Sequence, residues 1–156
     1  MTEHRFEADA TGLRFVVVAA RWNEEAVRRM VDAAFDVLRR QGASEDALAL
    51  WWVPGSFELP VAASWAARSG ACDAVLAFGV VIEGETEHFR LVADAASDGL
   101  QRVATETGLP VLNGVLAAYD AAQVEARTGG TMGNIGSQVA LAAISMARLR
   151  AAVVSR

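Results

Sequence analysis

Short, uninterrupted apolar runs alternate along the chain with longer segments in which apolar residues return every three or four positions. The first run lies within Gly12–Ala20, where Phe15, Val16, Val17 and Val18 follow one another without a polar residue. That pattern suits a strand buried on both faces. A helix should follow: Asn23 can cap it, Glu24 and Glu25 favour its first turn, and Val27, Met30, Val31, Ala34, Phe35 and Leu38 fall on one face before Gly42 ends it. Leu48–Val53 reads as a second strand closing at Pro54-Gly55, and Val61, Ala62, Trp65 and Ala66 mark a second helix that stops at Gly70.

Ala74–Ile82 is the third predicted strand, and a helix is predicted from about Thr86 to Thr107 with Phe89, Val92, Ala96, Leu100 and Val103 on one side. Val111–Leu116 is the fourth strand. A short helix from Tyr119 to about Arg127 and a glycine-rich turn over Gly129–Gly136 precede a last helix defined by Val139, Ala143, Ile144, Ala147 and Val154. Strands alternating with helices of this length imply right-handed crossovers. The expected fold is α/β: a three-layer α/β/α sandwich, flavodoxin-like, with a four-stranded parallel sheet and helices on both faces. Residues 1–11 are expected to be a flexible or edge-pairing N-terminal segment, and residues 12–154 a single domain.

Composition narrows the function. With 156 residues the chain can bury a core without metals or disulfides, and 53% hydrophobic against 21% charged residues is globular composition. No charge-free apolar run approaches a membrane span, and the polar start from Met1 to Ala10 is unlike a secretory signal, so a cytoplasmic protein with no membrane partner is expected. A net charge of −5 without a basic run argues against nucleic acid as a partner. The single Cys72 has no metal-binding spacing around it and suits a small buried hydrophobe. All 14 basic residues are Arg, so any site that needs a lysine is missing.

In open parallel sheets, ligands collect beyond the carboxyl ends of the strands. There the chain places Arg21, Trp22 and Asn23 after strand 1, Pro54 to Glu58 after strand 2, Glu83 to His88 after strand 3, and Asn113 within strand 4. Gly84-Glu85-Thr86-Glu87-His88 opens a helix, so its free N–H groups and the Thr86 hydroxyl suit a phosphate, although an ordinary N-cap explains them equally well. His88 is a candidate proton shuttle, and a lone His in a helix also suits a merely packed or solvated position, whereas His4 lies in the N-terminal segment and is discounted. Trp22 and Phe57 suit stacking on a planar ligand and equally suit core or interface. Glu58 and Asn113 can hydrogen-bond hydroxyl or amide groups, or serve only as a first-turn acid and a satisfied amide. Arg127 is a candidate phosphate clamp, or an arginine on a solvated face. No Walker loop, dinucleotide fingerprint, metal cluster or nucleophile elbow is present. From the residues alone, the reading is a small phosphorylated ligand held beside an aromatic ring.

Five segments in this order resemble the lumazine synthase family, from about Gly12 to Leu149. Arg21-Trp22-Asn23 resembles its Arg-aromatic-Asn turn, and Val53-Pro54-Gly55-Ser56-Phe57-Glu58-Leu59-Pro60 its Val-Pro-Gly-Ala/Ser-Phe-Glu-Ile/Leu-Pro motif. GVVIEGETEHF over Gly79–Phe89 is similar to the segment that carries the family's catalytic His. PVLNGVL over Pro110–Leu116, then Gln123, Arg127, Gly133-Asn134 and Gly136, completes the series. The resemblance implies that 5-amino-6-(D-ribitylamino)uracil condenses with 3,4-dihydroxy-2-butanone 4-phosphate to 6,7-dimethyl-8-ribityllumazine, the penultimate step of riboflavin biosynthesis, with no metal or cofactor. It implies that Trp22 stacks on the pyrimidine, that Ser56, Phe57 and Glu58 line the ribityl and ring pocket with Asn23 and Asn113, and that backbone groups of Val80, Val81 and Ile82 read the pyrimidine edge. Glu85 and Thr86 backbone N–H groups would hold phosphate with Arg127, and His88 would transfer protons. It further implies a homo-oligomer, a pentamer with sites shared between neighbours, a shell of pentamers given the short turn Thr128–Gly136, and association with riboflavin synthase.

The chain departs from the family pattern where the Gly-Asn-Lys-Gly lysine is replaced by Ile135 and the acid three residues later by Gln138. Thr131 stands for another frequent lysine, and Glu83 for a common basic residue. Joint loss of a lysine and an acid removes an ion pair at less cost than losing one member. The departures set a second hypothesis beside the enzyme: a shell-forming or flavin-binding relative with weak or no synthase activity.

Overall fold

Residues 15–20 are all buried, as the Phe15–Val18 run requires, and form the inner strand β1 (Phe15–Ala20) of the fold seen in a computed structural model that describes residues 1–154. The chain continues through α1 (Glu24–Arg40), β2 (Leu48–Val53), α2 (Leu59–Arg68), β3 (Ala74–Ile82), α3 (His88–Thr107) and β4 (Val111–Ala118). It ends with α4 (Ala121–Arg127), the short strands β5 (Thr128–Gly130) and β6 (Gly133–Asn134), and α5 (Ile135–Val154). The main sheet has four strands in the order β2-β1-β3-β4, all parallel, with Phe15 paired to both Leu48 and Ala74.

Successive residues of the central strands serve opposite faces. Val17, Ala19, Leu76 and Phe78 pack with Met30, Val31 and Ile144 of α1 and α5. Val16, Val18, Val75 and Ala77 pack with Ala62, Ala66 and Leu100 of α2 and α3. Two cores flank one sheet, which is the expected three-layer α/β/α sandwich. α5 is long and apolar enough to cross a membrane by length and composition. Its inner face is core, however, and Arg148 and Arg150 near its end donate to the carbonyls of Asp9, Thr11 and Gly108.

Several boundaries differ from the sequence reading. α3 begins at His88, not Thr86, and its N-cap position is held by Glu87 without a side-chain cap; Thr86 instead accepts from the His88 N–H at 3.4 Å. Asn23 occupies the N-cap position of α1, but its side chain makes no cap bond. β4 runs to Ala118 because Leu116, Ala117 and Ala118 pair with Val80, Val81 and Ile82. The glycine-rich turn is a small antiparallel hairpin made by β5 and β6. Val154, expected on the packed face of the last helix, is exposed at the end of α5. Residues 1–11 contain no strand within the chain; Ala10 is buried, and its N–H donates to Gln41 O at 2.7 Å.

Candidate active site

The two inner strands end at different heights. β1 stays in register with β3 only as far as Ala19–Phe78, whereas β3 continues beside β4 to Ile82–Ala118. The overhanging end of β3 forms the back wall of a cleft of about 740 Å³ at the carboxyl ends of the strands. The other walls come from the loop after β1, the Gly55–Glu58 turn after β2, and the start of α3.

Trp22 and Phe57, from segments far apart in sequence, both line the cleft and are open to solvent, at 74% and 62% exposure. Large aromatics left this exposed are suited to a ligand or a neighbouring chain. The turn carrying Phe57 is fastened from within: the Glu58 carboxylate accepts from the Gly55 N–H at 2.9 Å through Oε2. A Cβ on Gly55 would press against the Trp22 ring at 3.1 Å, so glycine allows the indole to lie over the turn. Ser56 is buried, and its hydroxyl has no hydrogen-bond partner among the described residues. That oxygen occupies the space that a side chain on Gly79 would need.

Gly84, Thr86 and His88 line the opposite rim. His88 is the first residue of α3, lines the cleft and is exposed, so its imidazole stands at the mouth beside the positive end of the helix dipole. Among the described residues, no three of His, Cys, Asp and Glu are grouped closely enough to hold a metal ion.

The cleft therefore gathers Trp22, Asn23, Ser56, Phe57, Glu58, Val80, Val81, Ile82, Thr86 and His88. Three sequence candidates lie outside its lining. Glu85 is exposed on the loop before α3. Asn113 is exposed on β4, where its amide donates to Ser97 Oγ and its Oδ1 accepts from the Val115 N–H, both at 2.9 Å. Arg127, at the end of α4, donates to Gln123 O at 3.1 Å. Gly55 and Gly84, from two of the candidate segments, also line the cleft, and so do Phe89, Leu91 and Val92, which the sequence does not single out as site residues. Helical periodicity places Phe89 and Val92 on one side of the helix, and Phe89 is at once buried and part of the cleft lining. The signal for Leu91 was its place off the apolar face, which leaves it 68% exposed.

Departing from the pattern in a different way, Ile135 opens α5 and packs against the α1–α5 core, while Gln138 is exposed. Glu83 and Thr131 are exposed as well.

A doubly wound sheet with an aromatic-walled cleft, an acid-fastened turn and a histidine at a helix start defines a small-molecule-binding α/β protein of the flavodoxin-like kind. The chain belongs to the 6,7-dimethyl-8-ribityllumazine synthase family, whose model matches residues 12–151. It is 42% identical over 149 residues to the 6,7-dimethyl-8-ribityllumazine synthase of Xanthomonas campestris pv. campestris (strain B100), covering 96% of this chain and 97% of that one. It is 40% identical over 149 residues, with the same coverage, to the synthase of that name from Xylella fastidiosa (strain 9a5c).

Proposed function

We propose that the chain condenses 5-amino-6-(D-ribitylamino)uracil with 3,4-dihydroxy-2-butanone 4-phosphate to 6,7-dimethyl-8-ribityllumazine, the product for which its relatives are named. The observation that carries the reading is the single cleft joining Trp22, Glu58, the open end of β3 and His88. A planar pyrimidine stacks on Trp22 with its edge on the backbone of Val80 to Ile82, and the ribityl hydroxyls meet Ser56, Phe57 and Glu58. The sugar phosphate sits on the N–H groups of Glu85 and Thr86, in the loop that leads into α3.

The 5-amine attacks the ketone carbonyl, and the resulting carbinolamine loses water to give an imine. Phosphate leaves, and attack by the ribityl-bearing nitrogen closes the second ring with loss of water. Each step moves a proton at the mouth of the cleft, where His88 is within reach as acid and base. Holding two reactants at one rim supplies much of the rate, and the helix start stabilises the departing anion.

Arg127 and Asn113 lie outside the cleft of their own chain, which supports a site completed by a neighbouring copy in a pentamer. The short hairpin between α4 and α5 favours closure of pentamers into a shell, and association with riboflavin synthase and a cytoplasmic location accompany this reading. A second reading, a shell-forming or flavin-binding relative with weak or no synthase activity, is favoured by Ile135, which brings an apolar side chain where the family pattern has an ammonium. Incubating the assembled protein with both substrates and following lumazine absorbance separates the two. Turnover supports the synthase, and its absence from correctly assembled protein leaves the second reading.

A further inference from the structure

We infer that Asn23 is a positioning residue that acts through the Val80 carbonyl, holding the open end of β3 in place for the heterocycle; the inference rests on the proposed function. Three observations converge on it. Asn23 is the non-glycine residue with positive φ in the described chain, at φ 58° and ψ 40°. Asn tolerates this left-handed geometry better than most residues, because its short polar side chain can bond locally. Here the side chain bonds across the sheet instead, with Nδ2 donating to Val80 O at 2.9 Å.

Val80 lies two residues beyond Phe78, the last residue of β3 in register with β1. In a parallel ladder the peptide groups of alternate residues face the same neighbour, so the Val80 carbonyl faces the side from which β1 has departed. The next N–H groups of the β1 segment are engaged elsewhere: Arg21 N–H donates to Val53 O and Trp22 N–H to Pro54 O, at 2.9 and 3.3 Å. The Asn23 amide therefore supplies the donor that the absent strand does not. One residue pair further on, Ile82 presents its N–H and C=O to the same side without a β1 partner, a donor and acceptor matched to the O=C–N–H edge of a uracil. Asn23 sets the height and tilt of that edge, and its own left-handed turn aims the preceding Trp22 at the same ligand.

The test uses two variants that both tolerate the left-handed backbone. Asn23→Asp keeps the shape but turns a donor into an acceptor against Val80 O, and Asn23→Gly removes the side chain. In both, KM for the aminopyrimidine should rise at least tenfold, while kcat stays within threefold and KM for the sugar phosphate within twofold. Calorimetric binding of 6-(ribitylamino)uracil, which lacks the attacking amine, should weaken at least tenfold. Independently of any ligand, deuterium exchange over residues 79–83 should accelerate at least tenfold, with residues 74–78 unchanged. Wild-type exchange in that segment in both variants overturns the inference, as does wild-type affinity of Asn23→Gly for the probe or an equal loss for both substrates. A wild-type protein that turns nothing over, yet whose variants lose exchange protection at 79–83, instead sinks the proposed function and leaves the role of Asn23 standing.

Discussion

A Cβ on Gly136 would collide with the carbonyl oxygen of Met30, so α5 reaches its packing distance from α1 only because residue 136 has no side chain. The approach is fastened by Asn134, whose Oδ1 accepts from the Gly136 N–H at 2.8 Å and whose Nδ2 donates to Arg29 O at 3.2 Å. The obstacle is backbone and cannot rotate away. Gly136→Ala should therefore cost about 3 kcal/mol, the upper part of the range for overpacking. A lowered urea midpoint at unchanged slope is the measurement; an unchanged midpoint would show that the two helices separate freely.

His88→Ala should lower kcat by about two to four orders of magnitude, the usual share of a positioned acid-base group. The imidazole is exposed at the helix start and makes no hydrogen bond among the described residues, so stability should hold. His88→Gln, which hydrogen-bonds but does not shuttle protons near neutral pH, should be equally slow. Turnover followed by lumazine absorbance decides it, and full activity in the Ala variant removes His88 from the chemistry.

Trp22→Ala should raise KM for the pyrimidine by about tenfold, since an aromatic pair contributes about 0.5–1.5 kcal/mol beyond its buried area. With the indole already exposed, little folding energy is at stake. Trp22→Phe should recover most of the binding. Equal KM values in all three proteins would mean that Trp22 serves an interface instead.

Burial pushes the Cys72 thiol up to about 11 from its ordinary 9.0, with Asp73 adding to the shift, and the thiol donates to Ala66 O at 3.6 Å. Thiol reagents at pH 8 should therefore leave native protein unmodified and label it only after unfolding. Above the ordinary thiol pKa the unfolded chain loses a proton that the folded chain keeps, so stability should fall as pH rises from about 9 towards about 11. Cys72→Ala should flatten that part of the pH–stability curve.

The layers of the fold were legible because hydrophobic periodicity reports burial directly: Leu48–Val53 and Ala74–Ile82 coincide with β2 and β3. Most of the cleft was legible too, because loops after parallel strands must meet at one rim. Local signals misled where a side chain serves a distant element. Asn23 looks like a helix cap and instead bonds Val80, 57 residues away. The glycine-rich segment looks like a plain turn, but its Gly133 and Asn134 pair into a hairpin and tie α5 to α1. Asn113 and Arg127 belong with the other candidates in sequence and stand apart from them in the single chain, which no spacing within one chain can reveal.

That separation makes its own prediction. If Arg127 clamps phosphate in a neighbour's cleft, a site needs His88 from one chain and Arg127 from the next. His88→Ala and Arg127→Ala proteins should each be nearly inactive alone. Particles assembled from an equal mixture should regain turnover, because a chain with intact His88 can sit beside a chain with intact Arg127. With random mixing each requirement is met half the time, so about a quarter of wild-type activity should return in a cyclic assembly. Activity no higher than the average of the two variants would mean that no site draws His88 from one chain and Arg127 from the next. The same mixture diluted until particle mass falls to that of single chains should lose the regained turnover, which ties the recovery to assembly.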